Sequence, residues 1–401
     1  MNQELYTFLT QGLANFSIVQ MIVALLIVTS ITVWSVTIFL HRCQAHRGLD
    51  LHPVVSHFFR FWLWLTTGME TKEWVAIHRK HHARCETAED PHSPQVYGIT
   101  KVLFHGVQLY TDERTNKETM EKYGHGTPDD WLERQLYSGR WVLGPTLLLA
   151  LDIALFGVLG ITFWAIQVVW IPLFAAGVIN GLGHWSGYRN FHTEDTSTNL
   201  TPWGVFLGGE ELHNNHHAFP SSARFSMRKW EFDIGWVIIR MLSACGLATI
   251  RRVAPQLEVD PNKSTIDPDT LKAVFAHRFT VMRNYYAQVL KPAAAEEMTR
   301  AGDSIRGIKR QTLGLLQAEP RFLNRPRQQG LQQLLQESAA LSVLYDYRER
   351  LKTIWDRSST DPDALLEQLR QWCREAEASG IRRLEEFAAS LRTYTTQTAM
   401  A

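Results

Sequence analysis

Nine of the chain's sixteen histidines fall in four short stretches. They are His41-Arg-Cys-Gln-Ala-His46, His78-Arg-Lys-His81-His82, Asn180-Gly-Leu-Gly-His184 and His213-Asn-Asn-His216-His217. On a helix, positions i, i+3 and i+4 share a face, so His78, His81 and His82 form one convergent patch and His213, His216 and His217 another. Adjacent histidines diverge by roughly 100°, which suits two neighbouring metals better than one. His41 and His46 lie about 140° apart on an α-helix and are expected to face different ions. Nine nitrogen donors exceed the four that one zinc takes. They suit two irons, each with several imidazoles and an open position for oxygen. Glu210 precedes His213 with a Glu-x-x-His spacing and is an alternative ligand. Glu70 and Glu73 are expected to support the site or lie at the surface. His52, His57, His92, His105, His125, His192 and His277 lie outside the pattern and read as ordinary core or surface histidines.

The elements that must hold these donors include membrane spans. Residues 18 to 40 carry no charge and one amide, Gln20. As a helix they reach about 35 Å, enough to cross a bilayer with some tilt. Residues 1 to 17 hold no Lys or Arg, which argues against a signal peptide. Between Trp141 and His184 the one charge is Asp152, and the stretch divides into spans at about 141–159 and 162–183 with a tight turn at Gly160. A mid-span carboxylate is expected to face the protein interior and hydrogen-bond to a neighbouring helix. Residues 53–69 are apolar but short and contain Arg60, so they are expected to lie in the interface as an amphipathic helix. Lys and Arg follow the first and last spans and are missing from the N-terminus and the hairpin turn. The positive-inside rule then places residues 41–140 and 184–401 in the cytoplasm, with all nine imidazoles at one membrane face.

Composition narrows the function classes. The 41 Lys+Arg and 40 Asp+Glu nearly cancel, so no nucleic-acid partner is expected. The four cysteines are far apart, which excludes a disulfide framework or a Cys-based zinc site and fits a reducing compartment. There is no Gly-x-Gly-x-x-Gly fingerprint and no His-Pro-Gly-Gly haem motif, so electrons must come from a separate protein.

The stretches HRCQAHR, EWVAIHRKHHARCETAEDPHSP, NGLGHWSGYRNF and GEELHNNHHAFPSSARF resemble the integral-membrane fatty acyl desaturases, close to the Δ9 acyl-CoA desaturase type of bacteria. The resemblance covers roughly residues 18 to 240. It implies an all-α membrane protein whose cytoplasmic helical cap carries a di-iron site, within a domain spanning 1–259. It further implies His41, His46, His78, His81, His82, His184, His213, His216 and His217 as ligands of two iron ions, with Asn180 reaching one through water. Trp74 resembles the tryptophan beside the bend of the substrate tunnel.

The implied reaction removes two adjacent hydrogens from a saturated acyl chain, using O₂ and two electrons, to leave a cis double bond at Δ9. A ferredoxin or a b-type cytochrome with its reductase is the expected donor, and the bacterial inner membrane the expected location. Animal members carry a further span ahead of the first box, and the residues before Ile18 predict none. Ala76 and Ile77 stand where those members carry charged residues that contact coenzyme A. A phospholipid-bound chain therefore competes with acyl-CoA as substrate. Within the same chemistry a hydroxylase or ketolase is the alternative, and outside it a non-catalytic metal-binding or transport protein. Transport predicts polar residues along the spans, and apart from Asp152 they are scarce.

Residues 265–401 change character. Asp267-Pro268 and Asp361-Pro362 each place an N-cap before a proline in the first helical turn. Leu365, Leu369, Trp372 and Ala376 keep one face, predicting a soluble cytoplasmic helical extension with a break between Pro320 and Pro326. Its last part is similar to a helical segment of some insertion-sequence transposases, but without a visible acidic nuclease triad.

Overall fold

The computed structural model describes residues 3–300, 314–317, 319–323, 325–356 and 361–396. Of the expected extension, residues 301–313, 318, 324, 357–360 and 397–401 lie outside them. Internal contacts divide the chain into one unit of residues 1–189 and 195–254, and another of 190–194 and 255–401. Both are mainly helical, with short two-stranded pairings such as Leu49–Leu51 antiparallel to Ala248–Ile250.

In the first unit the longest apolar helix runs from Ile18 to Ala45. Ser17 caps it, accepting from Gln20 N while Gln20 returns a bond to the Ser17 amide. It is α-helical to Trp34 and then widens to a π-helix over Ser35–Ala45. Helix Pro53–Thr67 follows and ends at Gly68. Helix Thr71–Arg84 carries the second histidine stretch. The N-terminal residues also form a helix, Gln3–Gln11, which is too short to cross a bilayer.

The hairpin differs in detail from expectation. Its first helix covers only Leu143–Phe156, because Gly157 turns the chain with φ +63°, a conformation that glycine alone adopts freely. The turn is therefore at Gly157 and Val158, and Gly160 already lies in the second helix, Leu159–Ile171. The expectation of a turn at Gly160 fails because Gly160 serves packing: a Cβ there would meet the Asp152 carbonyl oxygen at 2.0 Å. The Gln167 amide donates to Asp152 Oδ2 at 2.8 Å, so the mid-span carboxylate joins the two hairpin helices. From Pro172, which lacks a backbone donor, the second helix continues as a π-helix to Ile179 and then as Asn180–Leu182.

A buried ion pair ties the first helix to the segment after the last histidines. Arg42 donates to both oxygens of Asp233 at 2.9 and 3.0 Å and to the carbonyls of Gly208 and Ala223. Asp233 also caps helix Ile234–Ala244. Both side chains are fully buried.

The second unit has its own apolar core, including Leu290, Leu351, Leu369, Trp372, Phe387 and Leu391. Both predicted caps form: Asp267 accepts from Thr270 N and Asp361 from Asp363 N. A buried network sits beside the core, in which Glu319 Oε1 lies 3.0 Å from Arg348 and Oε2 lies 2.6 Å from Lys352. His192 accepts from Arg348 Nη2 at 2.9 Å, so it belongs to an ion network rather than to ordinary packing.

Arg42→Met leaves the Asp233 carboxylate buried without its partner, a loss of about 3–5 kcal/mol for pairs of this kind. We expect the thermal midpoint of the purified protein to fall sharply, and Asp233→Asn in the same chain to restore part of it.

Candidate metal centre

The histidine-bearing elements bring all nine rings into one cluster, with His46 and His82 half-buried and the other seven buried. His41, His46, His78, His82 and His216 form one group whose ligand atoms lie within 4.8 Å of one another. His81, His184 and His217 form a second, with the Cys85 thiol among them. His213 Nε2 is 3.0 Å from His184 Nε2 and joins the second group. Each triplet thus splits, with His81 turned from His78 and His82, and His216 from His213 and His217.

His41 and His46 meet in the same group, contrary to the expectation of different ions. The reason is the π-helix, in which residues i and i+5 are bonded neighbours. The His46 amide donates to the His41 carbonyl at 3.1 Å, and the two rings lie 5.1 Å apart. His92, which reads as an ordinary histidine in the sequence, stacks on His81 at 4.3 Å and lies within reach of Asp90.

Carboxylates orient the rings. His41 Nδ1 donates to Glu210 at 2.7 Å, His81 Nδ1 to Asp90 at 3.0 Å, His184 Nδ1 to Glu86 at 3.1 Å and His217 Nδ1 to Asp195 at 2.8 Å. A proton held on Nδ1 leaves Nε2 with a bare lone pair. His81 Nε2 and His184 Nε2 nevertheless face each other at 3.2 Å. His41 and His216 do so at 2.9 Å, and His46 and His78 at 2.8 Å. Nitrogens about 3 Å apart are the edges of a shell around an ion bound at about 2 Å. His217 Nε2 is buried and has no hydrogen-bond partner among the described residues. The donor set therefore fits metal ions. Glu210 is turned to His41 and Thr37, a position that suits an orienting partner and not a ligand.

Burial, reinforced by neighbouring imidazoles, holds His46, His78, His82, His213 and His216 well below the usual histidine range. Burial also brings His217 down to about 4, against the pull of Asp195. His81 moves the other way, because Asp90 outweighs its burial. Most of these rings are thus neutral donors at physiological pH.

A cavity of about 350 Å³ adjoins the cluster, with His41, His78 and His213 in its wall. Trp74 lines it and stacks on His78 at 4.8 Å with an interplanar angle of 15°. Asn180 lines it from the end of the π-helical stretch. Apolar side chains such as Val36, Ile77, Ile171 and Ile179 supply much of the remaining wall. The orienting acids Asp90, Asp195 and Glu86 went unnoticed in the sequence because nothing in their spacing marks them.

An imidazole cluster beside a largely apolar cavity on a helical scaffold is an arrangement suited to a metal site with apolar space next to it. Residues 17–237 match the fatty acid desaturase family, and the chain belongs to that family as a Δ9-desaturase-type member and a desaturase enzyme. It is 34% identical over 229 residues to Delta-9 acyl-lipid desaturase 1 of Arabidopsis thaliana, covering 56% of this chain and 72% of that one. It is 31% identical over 245 residues to sn-1 stearoyl-lipid 9-desaturase of Anabaena variabilis, covering 60% and 87%. Identity to icosanoyl-CoA 5-desaturase of Limnanthes douglasii is 32% over 230 residues, covering 54% and 60%. Residues 272–400 separately match a transposase family.

Two outcomes test this geometry. Asp195→Asn removes the carboxylate behind His217 and should weaken metal retention by roughly 10- to 100-fold, read as metal content after a chelator challenge. In the metal-free protein, rings held below about 6.5 take up protons when the chain unfolds. Stability should therefore fall as pH drops from about 6.5 toward 4, seen as a declining thermal midpoint. A flat profile would mean that the rings are already protonated or exposed.

Proposed function

We propose that the chain is a membrane-embedded acyl desaturase that introduces a cis double bond at Δ9 of a saturated chain, with two irons held by the nine histidines. The observation that carries this reading is the pair of lone-pair clusters beside the Trp74 cavity. His41, His46, His78, His82 and His216 would hold one iron, and His81, His184, His213 and His217 the other, with Asn180 approaching through water. Bound there, two irons and O₂ supply the oxidant that an unactivated methylene requires and that no side chain provides.

The residues of this chain do the rest. The apolar wall takes the acyl chain out of water, and Trp74 bends it toward His78. Glu210, Asp90, Glu86 and Asp195 keep protons on the Nδ1 atoms and so keep the metal-facing nitrogens bare. Two hydrogens leave adjacent carbons, and with two electrons from a separate donor and two protons from solvent O₂ becomes two waters. A ferredoxin or a b-type cytochrome with its reductase fits that role.

The helices Ile18–Ala45 and Leu159–Leu182 are long and apolar enough to cross a bilayer. With the hairpin's shorter helix and the distribution of Lys and Arg, they support a domain over 1–259 in a bacterial inner membrane. The site and residues 265–401 would then face the cytoplasm, the latter as a helical extension with no nucleic-acid role. Relatives named for acyl lipids and for acyl-CoA support either carrier.

Expression in cells followed by lipid analysis tests the reading. The wild-type chain should raise Δ9-unsaturated acyl chains, and His81→Ala at equal abundance should abolish them. A hydroxylated lipid with no new alkene would replace desaturation with oxygen insertion.

A further inference from the structure

The cavity wall is apolar along most of its length, but one part carries three polar groups. Tyr110 and Arg114 lie four apart on helix Ile99–Arg114 and so share a face, and both line the cavity. Glu73 lines it from helix Thr71–Arg84. The Tyr110 hydroxyl is shut off from water and has no hydrogen-bond partner among the described residues. Arg114 approaches Glu73 no closer than 3.8 Å, too far for a hydrogen bond, and its guanidinium lies 5.3 Å from the Trp141 ring centre. A buried hydroxyl left unpaired is costly, so this arrangement calls for an acceptor that arrives with the ligand.

We propose that the Tyr110 hydroxyl, with Arg114 beside it, donates a hydrogen bond to the carbonyl oxygen of the bound acyl group and so registers the chain against the histidines. This rests on the desaturase reading. An acyl chain is featureless except at its head, where a neutral carbonyl is present whether the carrier is an oxygen ester or a thioester. A free carboxylate suits the position less well. Burial and the nearby Glu70 already push Glu73 up to about 7, which marks a place where further negative charge is unwelcome. Glu73 precedes Trp74, whose ring stacks on His78. Roughly 7.5 Å of helix rise separates Glu73 from His78, a fixed offset between the polar group and the metal-facing ring. A carbonyl held there sets which carbons reach the cluster, so Tyr110 is a positioning residue for the site of oxidation.

The test uses the full-length protein with electrons supplied, comparing wild type, Tyr110→Phe and Arg114→Gln on stearoyl-CoA and on stearoyl phosphatidylcholine. Tyr110→Phe should lower kcat/KM roughly three- to tenfold on the carrier the enzyme uses, the effect of one hydrogen bond. It should also spread the double bond to neighbouring positions. The thermal midpoint should hold or rise, since the lost hydroxyl had no partner in the protein. Arg114→Gln should shift selectivity in the same direction. The carrier on which these losses appear identifies ester or thioester as the natural head. Wild-type position and kcat/KM in Tyr110→Phe on both substrates would overturn the assignment. A lowered midpoint with metal loss would also overturn it, by making Tyr110 structural. A wild-type protein that unsaturates neither substrate would refute the desaturase reading itself.

Discussion

Bare imidazole lone pairs repel one another, and this chain packs nine of its rings into one cluster. Carboxylates bond the far nitrogens of four of the rings at 2.7 to 3.1 Å and turn their other nitrogens inward. Without a cation between them the arrangement is electrostatically and sterically expensive, and the cost falls on the surrounding scaffold. The Arg42–Asp233 pair beside His41 and the Glu86 contacts to His184 and Thr196 brace the elements that carry the cluster. A metal bound among these rings would couple binding to folding, because it would relieve a cost that folding alone must bear.

Two of the π-helical stretches, Ser35–Ala45 and Pro172–Ile179, show how the cluster is aimed. In an α-helix His41 and His46 point to different sides, and the sequence by itself favours two destinations. Widening over Ser35–Ala45 brings position i+5 back over position i and sends both rings to one group. The second stretch, Pro172–Ile179, ends beside Asn180 and His184. Both of these segments sit where a long apolar helix delivers donors to the cluster. Only Pro172 has a visible cause in the sequence; the amino acids of Ser35–Ala45 do not announce the change of pitch.

That contrast explains what could be read in advance. Donor types and their i, i+3, i+4 spacing are local, so the histidine set and the splitting of His81 from His82 follow from helix geometry. The apolar runs and the Asp-Pro caps are likewise local. Glu86, Asp90 and Asp195 act across turns and loops, and His92 reaches His81 only once the chain after Arg84 folds back. Tertiary closure of that kind leaves no periodic trace. The hairpin turn was misplaced for a related reason. Both Gly157 and Gly160 fit a turn by composition, and only the positive φ of one and the close backbone approach of the other tell them apart.

The same distinction between local and closed features bears on substrate choice. Ala76 and Ile77 are both buried in helix Thr71–Arg84. A charged residue there would need a partner inside the protein, so these positions are poorly placed to meet a diphosphate headgroup in solvent. Tyr110 and Arg114, which face the cavity together with Glu73, stand on another helix, whose Phe104 side chain is exposed. An exposed apolar face beside the polar wall of an acyl cavity suits a surface that meets lipid. Under the proposed desaturase reading such a wall would suit an acyl head held close to a lipid surface, while the relatives are named for acyl lipids and for acyl-CoA alike.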